Sequence, residues 1–415
     1  MIRRSDFLME VLAYMKIYLS KPAVFSAAGK NAEELWRSLL NGDQSRIKRC
    51  ETFSGSTFFA ARIDENVLAP SSGRFDMKII RIEEAALKQI ENIIEKAKEK
   101  YGEKRIAVCV GSCDNGTEFS LAGHRKYFEK GAFPEDYSIE MQGADYVSTF
   151  ISEKYSLSGP VCTFSTACSS SAGAIIKAAE LIKSGICDAA IAGGIDIASD
   201  TTLDGFASLE AISEKITNPF SKNRSGITLG DGAAFFVLSK EPLDDDFPAI
   251  NLLGYGESCD AHHMTSPDPS GTGAKKAIEK ALENAKITPE EVDYVNLHGT
   301  GTKFNDSMEA KALSSVFGSN KVPCSTTKPM TGHTLGAAGA LELAICQLAI
   351  TENRGKTAPA LPPQIWDGVF DEEMPKLNFV SKNNNLDKHE IKICLSNSFA
   401  FGGANACLVA GLETE

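Results

Sequence analysis

Short apolar runs of strand length alternate along this chain with longer stretches in which apolar residues recur at helical spacing. That alternation is the pattern of an α/β protein, a mostly parallel sheet covered by helices. In the first half, residues 16–26, 105–111, 189–197 and 234–238 predict strands, and residues 32–40, 83–100 and 169–184 predict helices. In the second half, strands are expected at 250–255, 294–297, 391–395 and 406–410, with helices at 271–285, 307–316 and 336–350. Two halves, 15–245 and 246–415, meet in the segment SKEPLDDDFP, whose prolines and acidic run suit a boundary or an ordinary surface loop equally well. The repeat is architectural, because the halves share no residue-level self-similarity.

Composition narrows the class. A chain of 415 residues is long enough for two halves of about 200 residues or one large pseudo-duplicated unit. With 43% hydrophobic and 24% charged residues it reads as a globular, cytoplasmic protein without membrane insertion. A net charge of -12 argues against nucleic acid as a partner and requires any acidic protein partner to meet a local basic patch. The eleven cysteines are scattered and lack CxxC spacing, so they read as reduced thiols, and neither a metal nor a cofactor is expected. Residues 1–14 begin with Arg3 and Arg4 but are interrupted by Asp6 and Glu10; they read as a helical extension or an upstream start, not an export signal.

Four segments carry candidate chemistry. VCTFSTACSSSAGAI, residues 161–175, ends a strand-like run at Cys168 and opens a helix with small residues, a setting that would lower a thiol's pKa. NLHGTGT, residues 296–302, puts His298 at a strand's C-terminal edge, with Thr300 and Thr302 offering hydroxyls to a polar chain. STTKPMTGHTLGAAG, residues 325–339, spaces Lys328 and His333 five apart. SNSFAFGGANA, residues 396–406, places Phe399, Ala400 and Phe401 before a glycine pair, a loop that can present a backbone N–H and still swing. Taken singly, each has a plain alternative: Cys168 a packed thiol, His298 a structural strand-end residue, Lys328 a solvated lysine, His333 a helix cap. Together, one Cys, two His, a Lys and a glycine-containing loop suit acyl chemistry at a thioester, with two imidazoles donating to an enolate oxygen.

These segments, TACSSSAGA, NLHGTGT, TTKPMTGHTLGAAGALE and SNSFAFGGANA, in this order and spacing, resemble the elongating β-ketoacyl-[acyl-carrier-protein] synthases. The resemblance runs from about Met15 to the C-terminus and includes NPFSKNRSGITLGDGA and DAHHMTSP. It implies a thiolase-like five-layered α-β-α-β-α fold and a decarboxylative condensation of an acyl thioester with malonyl-carrier protein. On this resemblance Cys168 is the acyl-accepting nucleophile, and His298 and His333 promote decarboxylation and hold the enolate. Lys328 would pair with Glu309 and organise the site's charge. The backbone amides of Cys168 and Phe401 would form an oxyanion hole, Phe401 would gate the acyl chain, and Thr300 and Thr302 would contact the phosphopantetheine arm. Asp306, Asp260, His263 and Asn405 would be structural. The partner implied is an acyl carrier protein, met by a basic rim for which Arg125, Lys126, Lys130, Lys222 and Arg224 are candidates. A homodimer is expected, with a heterodimer as the alternative.

The chain also departs from that pattern. AFGGAN stands where the family has Gly-Phe-Gly-Gly-Thr-Asn, so the gate loses a glycine and a hydroxyl. GSCDNG places Asp114 near a chain-length-setting position, where an unpaired carboxylate would disfavour a long saturated chain; alternatively it turns outward and caps the next helix. The opening strand lacks the family's early glycine-rich turn. These departures suit a divergent member serving polyketide, polyene or other specialised lipid synthesis rather than bulk fatty-acid elongation, within a reaction class that covers fatty-acid synthesis too. The competing reading is a chain-length partner subunit without condensing activity, which retention of Cys168, His298, Lys328 and His333 opposes.

Overall fold

The computed structural model describes residues 15–71, 73–135, 137–319, 321–382 and 390–412; the expectation for residues 1–14 lies outside them. Its strands are β1 (Tyr18–Leu19), β2 (Ala23–Ser26), β3 (Lys48–Glu51), β4 (Thr57–Ala61), β5 (Ile106–Gly111), β6 (Val161–Phe164), β7 (Ala189–Asp196) and β8 (Leu229–Gly230). They continue with β9 (Gly232–Ser239), β10 (Ile250–Cys259), β11 (Tyr294–Asn296), β12 (Pro323–Ser325), β13 (Asn378–Phe379), β14 (Ile393–Phe399) and β15 (Ala404–Leu412). The principal helices are α1 (Ala32–Asn41), α2 (Lys78–Leu87), α3 (Glu91–Tyr101), α4 (Thr117–Lys130), α5 (Tyr146–Lys154) and α6 (Ser170–Lys183). They are followed by α7 (Asp200–Ser208), α8 (Thr272–Ala285), α9 (Lys303–Phe317) and α10 (Ala338–Thr351).

The large sheet runs β13-β12-β11-β14-β15-β10-β1-β9-β7-β5-β6, with β2 paired to β9. Among the described residues the two-residue β1 joins its two wings, pairing antiparallel to β10 on one side and β9 on the other. Helix α6 packs on β5 and β7, α10 packs on β14, and the two helices pack on each other. Outside, α2 lies on β2 and β9, and α8 lies on β10 and β15. The order through the molecule is therefore helix, sheet, helix, sheet, helix, the five layers expected.

Burial explains the central pair. AGALELAICQLAIT is apolar all round, and every residue of α10 but Thr351 is buried, as a helix between two sheets requires. Close approach depends on missing side chains: a Cβ at Gly339 would sit 2.9 Å from the Cβ of Ala172, and one at Gly111 would lie 2.2 Å from the backbone of Ser171. So the start of α6 is pressed onto the ends of β5 and α10.

The expected strand 16–26 is broken between β1 and β2. There the Ser20 hydroxyl accepts the Val237 N–H 3.0 Å away, and Pro22 has no N–H to continue a ladder. The expected helix 83–100 is two helices, α2 and α3, separated by a tight turn at Lys88–Ile90. The β3–β4 hairpin, which pairs with β8 in a separate three-stranded sheet, and helices α4, α5 and α7 were not foreseen. Among the described residues no helix is long and apolar enough to cross a membrane.

Candidate active site

Three strand ends deliver the candidate groups to one place. Cys168 lies in a tight turn, Ala167–Ser169, between β6 and α6; His298 follows β11; Lys328 and His333 follow β12. Two of the turns are strained: Ala167, beside Cys168, has φ +51°, and Leu335, two residues past His333, has φ +49°. Non-glycine residues hold such angles only where the surroundings over-determine them. Asp196, at the end of β7, helps to do so, accepting from the Ser112 hydroxyl (3.0 Å), the Cys113 N–H (2.9 Å) and the Gly336 N–H (2.6 Å). It ties the turn after β5 to the turn after His333. Its burial pushes the carboxyl up to about 7 against those donors.

The Cys168 thiol and the two imidazoles converge. The Nε2 of His333 lies 3.1 Å from the Sγ of Cys168, and the candidate atoms of Cys168, His298 and His333 lie within 4.8 Å of one another. The backbone N–H of Leu335 donates to His333 Nδ1 (3.3 Å), which therefore carries the lone pair and leaves the proton on Nε2. On His298, the Nζ of Lys328 lies 3.4 Å from Nδ1, and the buried Nε2 has no partner among the described residues. Because Lys Nζ can only donate, Nε2 of His298 also carries its proton. Both lone pairs thus point away from the shared space, which presents N–H groups suited to an oxygen and not the lone pairs a metal ion needs.

Burial, then the charge of Lys328, then His333 holds His298 well below the usual imidazole range, and burial with Lys328 does the same for His333. Both rings are neutral at neutral pH. Burial also pushes the Cys168 thiol up to about 11, against the charge of Lys328 and the backbone N–H of Phe401, which pull it down. This corrects the expected lowering at a helix start: α6 begins only at Ser170, and loss of water around the sulfur outweighs the favourable groups.

Lys328 pairs with a different carboxylate from the one expected. Its Nζ forms a buried ion pair with Glu342 of α10 and donates to the carbonyl of His298 (2.5 Å). Glu309 is instead a backbone clamp, its two oxygens accepting the N–H groups of His298 (2.8 Å) and Gly299 (2.7 Å), with Asn397 donating to Oε1 (3.2 Å). The reason is positional: α9 approaches the His298 loop, whereas Glu342 stands on the helix facing the lysine. Burial pushes both Glu309 and Glu342 up to about 7, in Glu342 against the charge of Lys328. Asp306 acts like Glu309, accepting from Thr300 N–H (3.1 Å), Gly301 N–H (3.2 Å) and Phe220 N–H (2.8 Å).

A cleft of about 600 Å³ opens over these groups, lined by Cys168, His298, His333, Thr300, Thr302 and Phe401 among others. The Thr300 and Thr302 hydroxyls are 3.1 Å apart. Phe399 is buried, its ring 6.1 Å from that of His298, and Phe401 lies 5.8 Å from Phe206 of α7. Ala400 is extended at φ -108°, so the glycine missing there is not one the backbone angle demands; Gly402 and Gly403 hold the positive φ angles of the loop. Asp260 accepts from Asn405 Nδ2 (2.7 Å), and His263 Nδ1 accepts the N–H of Thr265 (3.1 Å), contacts that shape the neighbouring loop.

Other expectations change. Asp114 is buried, not unpaired and not turned outward, but it does cap the next helix as the alternative expected: its Oδ2 accepts from Gly116 N–H (2.8 Å) and Thr117 N–H (3.2 Å) at the start of α4 and from the Tyr146 hydroxyl (2.7 Å), and it is not among the residues lining the cleft. Arg224 lines the cleft but is buried and paired with Asp371 (2.6 Å), so it is no docking rim. Arg125, Lys126 and Lys130 are exposed on α4 and Lys222 is exposed, yet none of them lines the cleft. Lys303, exposed beside Phe304 at the mouth, was missed. Glu342, Asp196 and Phe206 were missed too; Glu342 had a usable signal, a single carboxylate inside an otherwise apolar helix, which must find a partner.

The family model described as Beta-ketoacyl synthase, N-terminal domain, matches residues 23–243, and that described as Beta-ketoacyl synthase, C-terminal domain, matches residues 250–361. The chain is 34% identical to the 3-oxoacyl-[acyl-carrier-protein] synthase 2 of Coxiella burnetii, over 95% of this chain and 98% of that protein. It is 32% identical to the protein of the same name from Vibrio harveyi, over 95% and 98%. Among solved structures it resembles a ketosynthase (ApeO) in complex with its chain length factor (ApeC) from Xenorhabdus doucetiae, with TM-score 0.88, 37% identity and coverage of 96% and 98%. It also resembles the ishigamide ketosynthase/chain length factor, with TM-score 0.83, 27% identity and coverage of 96% and 100%.

Proposed function

The chain belongs to the beta-ketoacyl synthase family, with its thiolase-like fold, and from that premise we propose how its residues divide the work of a 3-oxoacyl-[acyl-carrier-protein] synthase. The reaction is a decarboxylative condensation in fatty-acid or polyketide-type synthesis. In the first half-reaction Cys168 sulfur attacks the carbonyl of an acyl thioester, and the carrier's pantetheine thiol leaves with a proton. In the second, a malonyl thioester loses carbon dioxide, and its enolate attacks the acyl-Cys168 carbonyl and expels the Cys168 sulfur. The result is a 3-oxoacyl thioester.

The observation that carries this reading is the pair of inward Nε2–H groups on His298 and His333 beside the Cys168 sulfur. An enolate oxygen bearing full negative charge, held by two neutral donors in a water-poor cleft, is stabilised where charge develops. Protonated imidazoles are not required, and burial together with Lys328 keeps both rings neutral. Lys328, Glu342 and Glu309 position His298 through its carbonyl, Nδ1 and N–H. The N–H of Phe401, which faces the Cys168 sulfur, and that of Cys168 serve the tetrahedral oxyanion. Thr300 and Thr302 receive the phosphopantetheine arm.

The partner in this reading is an acyl carrier protein, reaching the cleft past Lys303 and the exposed Phe304. The protein works as a dimer, and the likeness to a ketosynthase solved with its chain length factor supports a heterodimer of that kind. Incubation with an acyl-carrier protein series and malonyl-carrier protein tests the reaction. A product two carbons longer and bearing a 3-oxo group is expected for at least one primer, and absence of that product across the series contradicts the reading.

A further inference from the structure

The β3–β4 hairpin stands apart from the large sheet, and its two ends reach two different parts of the site. Along its length, Ala60 of β4 pairs in register with Leu229 of β8, and Leu229 bridges in turn to His333. His333 is held there by both backbone groups: its N–H donates to the Thr228 carbonyl (2.7 Å), and its carbonyl accepts from Gly230 (3.0 Å). At the other end, the turn between the strands grips the first turns of α7. The Thr52 and Ser54 hydroxyls each donate to Asp204 Oδ1 (2.9 Å), and the Phe53 N–H donates to Asp200 Oδ2 (2.9 Å). Arg62, at the end of the hairpin, reaches Asp200 (2.6 Å) and the Ala198 carbonyl (2.8 Å).

Helix α7 needs such a hold. Only Leu203 of its nine residues is fully buried, so packing alone anchors it weakly. Yet it carries Phe206, whose ring backs Phe401 at 5.8 Å and lines the cleft. Leu203, Ala60, Leu229 and Leu335 share one small apolar cluster, so hairpin, α7 and the His333 turn rest on common packing.

We propose that the β3–β4 turn is a latch that holds α7, and through Phe206 the Phe401 gate, with Asp204 as its positioning residue. The assignment rests on the reading of Phe401 as the acyl gate. Hydrogen bonds to a carboxylate are stronger than neutral ones, and four donors on two aspartates of one short helix fix its axis where apolar contact does not. Loosening the latch lets Phe206 withdraw and the gate widen, which admits long or bulky groups to Cys168 more than small ones.

Alkylation of Cys168 tests this without any condensation, so its outcome is separate from that of the proposed reaction. Peptide mass spectrometry gives the Cys168 rate with iodoacetamide and with N-octylmaleimide at one pH. In Asp204→Ala and in the doubly substituted Thr52→Val/Ser54→Ala protein, the maleimide-to-iodoacetamide ratio is expected to rise about fivefold, the scale of one or two lost hydrogen bonds. Asp204→Asn, which keeps an acceptor oxygen for both hydroxyls but loses the charge, is expected to give a ratio between those of the parent and Asp204→Ala. A purely structural role would change both reagents alike. Should Asp204→Ala not fold, the Thr52→Val/Ser54→Ala protein decides, Val replacing the buried Thr52 at nearly its own volume; an unchanged ratio in that folded protein overturns the latch.

Discussion

His333 Nε2 lies 3.1 Å from the Sγ of Cys168 while its Nδ1 accepts the N–H of Leu335, so the imidazole faces the sulfur as a donor and not as a base. A Cys–His pair built for proton abstraction needs the opposite tautomer. This ring can steady a thiolate or an oxyanion but cannot take the thiol proton without first losing its bond to Leu335.

The reactivity of Cys168 should follow from this. Thiolate is the nucleophile, and burial pushes the thiol up to about 11. Alkylation by iodoacetamide is therefore expected to rise about tenfold per pH unit from 7 to 10. In Lys328→Met the lowering influence of the cation is gone, so the rate at every pH in that range should fall. A plateau below pH 9 in the parent protein would rule out this thiol environment.

The two buried glutamates should separate cleanly. Lys328 and Glu342 form an ion pair, so Lys328→Met and Glu342→Gln should be non-additive in urea denaturation, by on the order of 1–3 kcal/mol. Lys328→Met with Glu309→Gln should show a smaller coupling, because Glu309 holds backbone N–H groups. Larger coupling to Glu309 would restore the pairing expected from the resemblance.

Asp196 makes stability depend on pH with a definite sign. Its carboxyl titrates near 7 in the folded chain, above its unfolded value of about 3.9, so between those values the folded state binds more protons. Its contribution is fully present below the unfolded value and is lost as pH rises towards 7. Asp196→Asn lacks this titration, so the variant's stability minus that of the parent should increase from pH 5 to pH 8. A difference that stays flat or falls would remove Asp196 as the titrating group.

Ala400 offers a test of the backbone of the loop that carries Phe401, the proposed gate. Its extended conformation is open to alanine and glycine alike, so Ala400→Gly should leave the folded loop unchanged and cost about 0.5–1 kcal/mol through the greater freedom of the unfolded chain. Denaturant titration reads this directly. A larger loss would mean that the Cβ packs in the folded loop.

Cys168, His298 and His333 were legible only in combination: Cys168 and His298 follow a strand end within four residues and His333 follows one after eight, but each alone suits a structural role, and the four motifs in order are what pointed to chemistry. The Lys328 partner was not legible in the same way. Glu309 and Glu342 both lie within reach in sequence, and only the packing of α9 and α10 decides between them. Asp196 was missed because its role is to join three distant turns, which no local pattern displays. Helix α7 and the β3–β4 hairpin escaped because they bury little, and periodicity is weak where burial does not enforce it. Arg224 looked like a surface charge until its buried bond to Asp371 was placed.

The division of labour between Cys168 and the imidazoles is tested most directly in the His298→Ala variant, using an acyl-carrier protein that acylates the parent. Mass spectrometry should find the acyl group on Cys168 of the variant, formed more slowly, while addition of malonyl-carrier protein yields 3-oxoacyl product only with the parent. Equal loss of the Cys168 adduct and of the product, or an adduct on another residue in the parent, would contradict the account.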